Sequence, residues 1–242
     1  MKKGTNCVDN AASMTVSAKE YTAVNSVNSN ITRESIRLVA YDRYIKRLVD
    51  IILSGLGIIV FAIPLIVIAI IIKLDSPGPV FFRQKRVGTN KTHFQIYKFR
   101  SMYVNKDTED IPTHLLKNPE ARITKVGKFL RKTSLDELPQ LFNIFKGDMA
   151  VIGPRPALWN QYDLIAERDL YGANDVRPGL TGWAQINGRD ELEIPVKARL
   201  DGEYIEKESL LFDIKCFFGT ITSVLKSDGG VEGGTGNTEV SK

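Results

Sequence analysis

An uninterrupted apolar run from Ile51 to Ile72, bounded by Asp50 and Lys73, constrains this chain more than any other feature. A helix needs about 20 apolar residues to cross the hydrocarbon core of a bilayer, and this run is long enough. Pro64 stands inside it. A proline within a helix has no N–H to offer the preceding turn, and its ring crowds the carbonyl four residues back. The run is therefore expected to kink or break at Pro64. Basic residues flank both ends, with Arg43, Lys46 and Arg47 before the run and Lys73, Arg83, Lys85 and Arg86 after it. A spanning helix is oriented by an asymmetry of positive charge, and these flanks offer little asymmetry. Two arrangements satisfy the pattern. One helix enters, bends at Pro64 and returns to the same face; the other is a single kinked span. The run begins too late for a secretory signal, and no small-residue cleavage site closes it.

The remaining sequence divides around this run. Residues 1–40 are polar and lack sustained periodicity, which predicts a disordered tail. Residues 41–75 are expected to form the membrane element, 76–226 a domain at its cytoplasmic face, and the Gly-rich stretch 227–242 a flexible tail. Asp75-Ser-Pro-Gly-Pro79 is a turn signal. Val80–Gln84 and His93–Phe99 read as strands of a hairpin turning near Gly88-Thr89-Asn90. Helices are expected over 118–129, 139–145 (closed by Gly147), 157–170 and 210–226, the last one amphipathic. Leu180 to Gly188 reads as a loop or short strand. The fold class is α+β. A net charge of +5 and a pI near 9.1 suit anionic lipid or nucleotide phosphates. No nucleic-acid-binding motif is present. Cys7 and Cys216 form neither a metal spacing nor a disulfide framework, and His93 and His114 are isolated.

The chemistry concentrates at Ser134-Leu-Asp-Glu-Leu-Pro-Gln-Leu141. Pro139 favours a helix starting beside the adjacent carboxylates Asp136 and Glu137. Free amides and the helix dipole there would keep Asp136 ionised, as a nucleophile or a magnesium ligand. A structural alternative fits the same residues: Ser134 and Glu137 match a capping box. Around the pair stand Lys98, Arg100, Arg131, Arg155, Arg177 and Arg189, several of them beside proline or glycine in rigid loops. Cations positioned around two carboxylates suit phosphoryl transfer, where catalysis is mainly positioning and charge neutralisation. A basic lipid-facing surface would explain any one of the arginines equally well. A conventional glycosyltransferase is disfavoured, because no Asp-x-Asp metal motif lies in a nucleotide-binding βαβ context.

Six ordered motifs identify a resemblance: Lys98-Phe-Arg-Ser-Met102, Ser134 to Leu141, Gly147-Asp-Met149, Gly153-Pro-Arg-Pro156, Arg177-Pro-Gly179 and Thr181-Gly-Trp-Ala-Gln-Ile-Asn-Gly-Arg189. Across about Tyr41 to Lys226 the chain resembles the bacterial sugar transferase family, the monotopic phosphoglycosyl transferases, in their minimal form. The resemblance implies transfer of a sugar 1-phosphate from a UDP-sugar to a polyprenyl phosphate such as undecaprenyl phosphate, with release of UMP. That reaction begins capsule, exopolysaccharide or O-antigen assembly and hands its product to downstream glycosyltransferases. Asp136 would form a covalent phosphosugar intermediate, and Glu137 would assist with Mg2+ or with the lipid phosphate. Arg131 and Arg155, then Lys98, Arg177 and Arg189, would contact phosphate. The resemblance also implies a re-entrant helix broken near Pro64, membrane lipid as a partner, and a place on the cytoplasmic face of the bacterial inner membrane. The chain departs from the usual pattern in having Ile63 rather than serine before Pro64. A catalytically inactive scaffold of the same fold is the alternative reading; the intact carboxylate pair argues against it.

Overall fold

The apolar run folds as two helices. The computed structural model describes residues 41–104, 119–188 and 192–226. The two expected tails and Arg189 lie outside the described residues. The chain divides between Tyr44 and Ile45 into two units, and every element that positions the site belongs to the second. After a π-helical turn at Tyr41–Lys46 come α1 (Arg47–Val60) and α2 (Ala62–Asp75), bent by 61° at their junction. The break expected at Pro64 falls instead at Phe61 (φ −91°, ψ 9°). Pro64 sits in the first turn of α2, where a missing N–H is tolerated. The bond it cannot make is the one to the Val60 carbonyl, so the ladder parts there. The Phe61 amide still donates to Gly57 O (2.9 Å) and the Leu65 amide to Phe61 O (2.8 Å). No single described helix is long and apolar enough to cross a membrane, whereas the bent pair passes that test together.

The two helices present exposed Leu48, Ile52, Leu56, Ile59, Ile66 and Ile70 on one side. Lys46, Asp50 and Ser54 recur every four residues and are all buried, so they share the opposite face. Lys46 donates to the Tyr204 hydroxyl and pairs with Glu208. Arg47 donates to the carbonyls of Ile144 (2.6 Å) and Phe145 (2.7 Å).

Beyond α2, the expected hairpin forms from β1 (Phe81–Val87) and β2 (His93–Phe99), antiparallel, with Phe81 opposite Phe99. Asn90 and Lys91 turn it at positive φ (51° and 58°). The predicted helix at 118–129 is a 3-10 turn at Pro119–Arg122 followed by α3 (Lys125–Lys132); Asn118 lies outside the described residues. Thr124 caps α3 by accepting from the Gly127 amide (2.9 Å). A Cβ on Gly127 would lie 1.9 Å from Ser101 O, so only glycine lets α3 press against the chain leaving β2. A 3-10 turn at Leu135–Glu137 leads to α4 (Gln140–Lys146), ended by Gly147 at φ 104°, as expected.

A second sheet, absent from the sequence expectation on its first strand, pairs β3 (Ala150–Ile152) in parallel with β4 (Gly179–Thr181). Parallel pairing requires a crossover, supplied by the stretch containing α5 (Tyr162–Asp169), shorter than the expected 157–170 helix. Short α6 (Trp183–Ile186) follows, then α7 (Ile194–Lys207) and α8 (Leu210–Lys226). Ile68 and Ile72 of α2 share a core with Phe99 and Leu130; Ile96, Ile144 and Met149 form a second cluster, and Ile152, Tyr204 and Cys216 a third. The fold is α+β.

Candidate active site

The carboxylate pair sits in a strained turn. The Ser134 backbone is left-handed (φ 55°, ψ 18°), a conformation costing a non-glycine residue on the order of 1 kcal/mol. The Ser134 amide donates to Arg131 O (3.2 Å) at the end of α3, and the Glu137 amide donates to Ser134 O (3.2 Å). The Ser134 side chain caps nothing. The capping-box alternative therefore fails: the Ser134 amide already has a partner, and the Glu137 carboxylate points elsewhere.

It points to two cations. Glu137 Oε1 accepts from Lys98 Nζ (2.6 Å) and from Arg155 Nη2 (3.1 Å). Lys98 comes from the end of β2 and Arg155 from the loop after β3. Burial pushes the Glu137 carboxyl up, but the attraction of Lys98 and Arg155, with their hydrogen bonds, outweighs it and holds Glu137 well below the usual carboxylate range. Asp136, one residue earlier, is only 3% exposed.

The loop carrying Arg155 is fixed from several directions. A Cβ on Gly179 would lie 2.1 Å from Gly153 N, and one on Gly182 would lie 2.1 Å from Gly153 O. These glycines are required for close approach of two backbones. The Gly153 amide donates to Thr181 O and the Gly179 amide to Pro154 O, both at 2.8 Å. Arg86 Nη1 donates to Pro156 O (3.0 Å). Arg168 Nη1 donates to Arg155 O itself (2.9 Å), while the rest of the Arg168 fork pairs with buried Asp201 (2.6 and 2.8 Å). Arg168 and Asp201 are thus positioning residues that sequence reasoning missed. Their only sequence signal is a charged pair within otherwise amphipathic helices.

The other predicted cations separate. Arg131 stands partly exposed in the last turn of α3, next to the strained turn. Arg100 is buried and engaged with the end of α2: its guanidinium donates to the carbonyls of Ile72 (3.2 Å), Ser76 (2.6 Å) and Pro77 (2.9 Å) and to Ser76 Oγ (2.9 Å). Arg177 pairs with Asp50 of α1 (3.2 Å). Both are turned toward the broken helix, and neither is among the Glu137 contacts.

No group of three or more Asp, Glu, His or Cys side chains gathers among the described residues, so the protein alone does not cage a cation there. Two adjacent carboxylates do fit magnesium, which commonly takes one or two carboxylates and completes its shell with substrate phosphates and water.

A profile of the bacterial sugar transferase family matches residues 41–227. A UDP-glucose:undecaprenyl-phosphate glucose-1-phosphate transferase of Escherichia coli is 43% identical over 192 residues, covering 76% of this chain and 41% of the relative. A UDP-N-acetylgalactosamine-undecaprenyl-phosphate N-acetylgalactosaminephosphotransferase of Aeromonas hydrophila is 41% identical over 192 residues, covering 77% and 45%. A UDP-glucose:undecaprenyl-phosphate glucose-1-phosphate transferase of Caulobacter vibrioides is 39% identical over 191 residues, covering 76% and 70%. The chain thus spans less than half the length of the first two relatives.

Proposed function

The chain belongs to the bacterial sugar transferase family, and on that premise we propose that it transfers a sugar 1-phosphate from a UDP-sugar to undecaprenyl phosphate or a similar polyprenyl phosphate, releasing UMP. The observation that carries this reading is the Glu137 clamp: one carboxylate held ionised by Lys98 and Arg155, beside a second, buried carboxylate in a strained turn. The capping role that would have made the pair merely structural is absent.

In the proposed reaction an Asp136 oxygen attacks the β-phosphorus of the UDP-sugar. The bond from that phosphorus to the bridging oxygen breaks, and UMP leaves with the electron pair. The phosphosugar is then joined to Asp136 as an acyl phosphate. An oxygen of the polyprenyl phosphate attacks the same phosphorus, and the Asp136 carboxylate departs, yielding a polyprenyl diphosphate sugar. Lys98 and Arg155 keep Glu137 charged and present positive charge to the diphosphate; Arg131, in the last turn of α3 just before the strained turn, would join them. Asp136 and Glu137 would hold Mg2+, which would supply neutralisation of the diphosphate charge.

The bent helix pair supports a re-entrant placement, with α1 entering and α2 leaving on the same face of the bacterial inner membrane, and the site on the cytoplasmic side. Exposed apolar side chains on both helices suit contact with lipid tails. Both substrates would then meet in one plane at the headgroup level, which helps alignment. The product would pass to downstream glycosyltransferases of capsule, exopolysaccharide or O-antigen-type assembly.

The test is UMP release by detergent-purified protein with undecaprenyl phosphate and magnesium, across UDP-sugars that include UDP-glucose and UDP-N-acetylgalactosamine. Release with one donor, lost in Asp136→Asn, is the expected result. Undiminished release by that variant would overturn Asp136 as nucleophile, and a phosphosugar adduct mapped to Asp136 by mass spectrometry would support it.

A further inference from the structure

Two buried primary amides lie one helical turn apart on α4, and they are used differently. Asn143 is saturated: its Nδ2 donates to Gln95 O (2.8 Å) and Asp148 Oδ2 (3.2 Å), and its Oδ1 accepts from the Tyr97 amide (2.9 Å). Gln140 is 2% exposed, yet its buried Nε2 makes no hydrogen bond. A buried donor left open in this way is costly, and native folds seldom retain one without a use.

Its place in the fold indicates the use. Leu138 and Pro139 have right-handed helical backbones, so the turn holding Asp136 and Glu137 runs into α4 with a helical sense. At about 100° per residue, Asp136, Glu137, Gln140 and Asn143 fall within about a third of the circumference, with Gln140 in the middle. Both of its neighbours along this face reach β2: Glu137 through Lys98, and Asn143 through Gln95 and Tyr97. By this helical geometry Gln140 falls on the face turned to the same strand, at an angle between Asp136 and Glu137.

We propose that Gln140 is a further substrate-binding residue, whose Nε2 donates to a non-bridging oxygen of the phosphoryl group undergoing transfer at Asp136. An anionic oxygen of that kind suits an open N–H donor beside a buried carboxylate, and the bond strengthens as negative charge gathers on the equatorial oxygens during transfer. The inference rests on the transferase reading above.

Gln140→Met keeps length and removes the donor; Gln140→Ala removes the donor without risk of a clash. Full-length wild type and both variants are compared for UMP release from UDP-glucose or UDP-N-acetylgalactosamine with undecaprenyl phosphate, and for melting temperature. The expected result is a fall in kcat of about 100-fold, with KM for the UDP-sugar changed much less and the melting temperature of Gln140→Met equal to or above wild type. That split separates a substrate contact from a packing role, because an open buried donor replaced by a thioether should not destabilise. Wild-type kcat in either folded variant would overturn the proposal. So would unfolding of both, since an amide on which the fold depends is not held open for substrate. Absence of UMP release by the wild type itself would instead fell the transferase reading, and this inference with it.

Discussion

Two regions of this molecule are rich in charge, and they use it differently. At the seam between the broken helix and the body, the charged groups are turned inward and Arg100, Asp50 and Lys46 are buried: Arg100 closes the end of α2, Asp50 holds the half-buried Arg177 and the Val151 amide (2.9 Å), and Lys46 sits among Tyr204, Glu208 and Asp213. At the strained turn, Glu137 draws Lys98 and Arg155 onto a single oxygen, and the Arg155 side chain remains 32% exposed. Arginines beside proline and glycine thus serve two purposes in one fold. What distinguishes them is whether the guanidinium is turned into the seam, onto backbone carbonyls and a buried acid, or stays partly exposed beside Glu137.

The contrast predicts opposite phenotypes. The largest stability effect is expected at the seam. Asp50→Ala removes the buried carboxylate that Arg177 and the Val151 amide share and should cost about 3–5 kcal/mol, read as a large drop in unfolding midpoint in detergent. A drop within 0.5 kcal/mol, taken as roughly the neutral range for surface changes, would erase the distinction between the two regions. At the turn, Arg155→Ala should cost at most about 1 kcal/mol in the same assay, because the pair is partly solvated. UMP release should nonetheless fall by about 10²–10³ as a charge-stabilising donor is lost. Glu137→Gln sharpens the comparison through pH. The Glu137 carboxyl is depressed in the folded state, so its pairing with Lys98 and Arg155 stabilises fully above its ordinary value of 4.5 and weakens as pH falls below that. Wild-type melting temperature should therefore drop more steeply than that of Glu137→Gln on acidification below about 4.5. Parallel curves would mean the pair contributes nothing measurable.

The same distinction explains what the sequence disclosed. The apolar run, the hairpin at 81–99, α4 with its Gly147 stop and α8 all follow from periodicity and punctuation that local physics enforces. The strand β3 was hidden because Ala150–Ile152 is too short for a period and is stabilised by a partner far along the chain. The helix α7 was not anticipated, and it contains Gly202, a residue type of low helix propensity. Gly202 is a contact, since a Cβ there would lie 2.7 Å from the Tyr171 Cβ. In the site, the residue types Asp136, Glu137, Lys98 and Arg155 were legible as motif members. Their sorting was not: nothing local separates Arg155, which meets Glu137, from Arg100 and Arg177, which meet the broken helix. Gln140 was passed over because an unused amide is visible only once its neighbours are in place.

The smallest expected effect concerns the origin of the bend. Pro64→Ala restores an N–H opposite the Val60 carbonyl and should change stability by no more than about 1 kcal/mol in either direction. The informative readout is geometric. Spin labels at exposed Ile52 and Ile70, one on each side of Phe61, would be about 27 Å apart along a straight helix. The 61° bend near their midpoint shortens that by roughly 4 Å at the same rise per residue. If proline alone breaks the ladder, the distance in the alanine variant lengthens toward the straight value. If it stays short, the bend is imposed from outside by the two anchored ends, Asp50 with Arg177 on α1 and Arg100 on α2. In that case adding Arg100→Ala should release it. The seam would then be what shapes the broken helix, and Ile63 in the place of a serine would matter little, because the bend would not depend on a hydroxyl at that position.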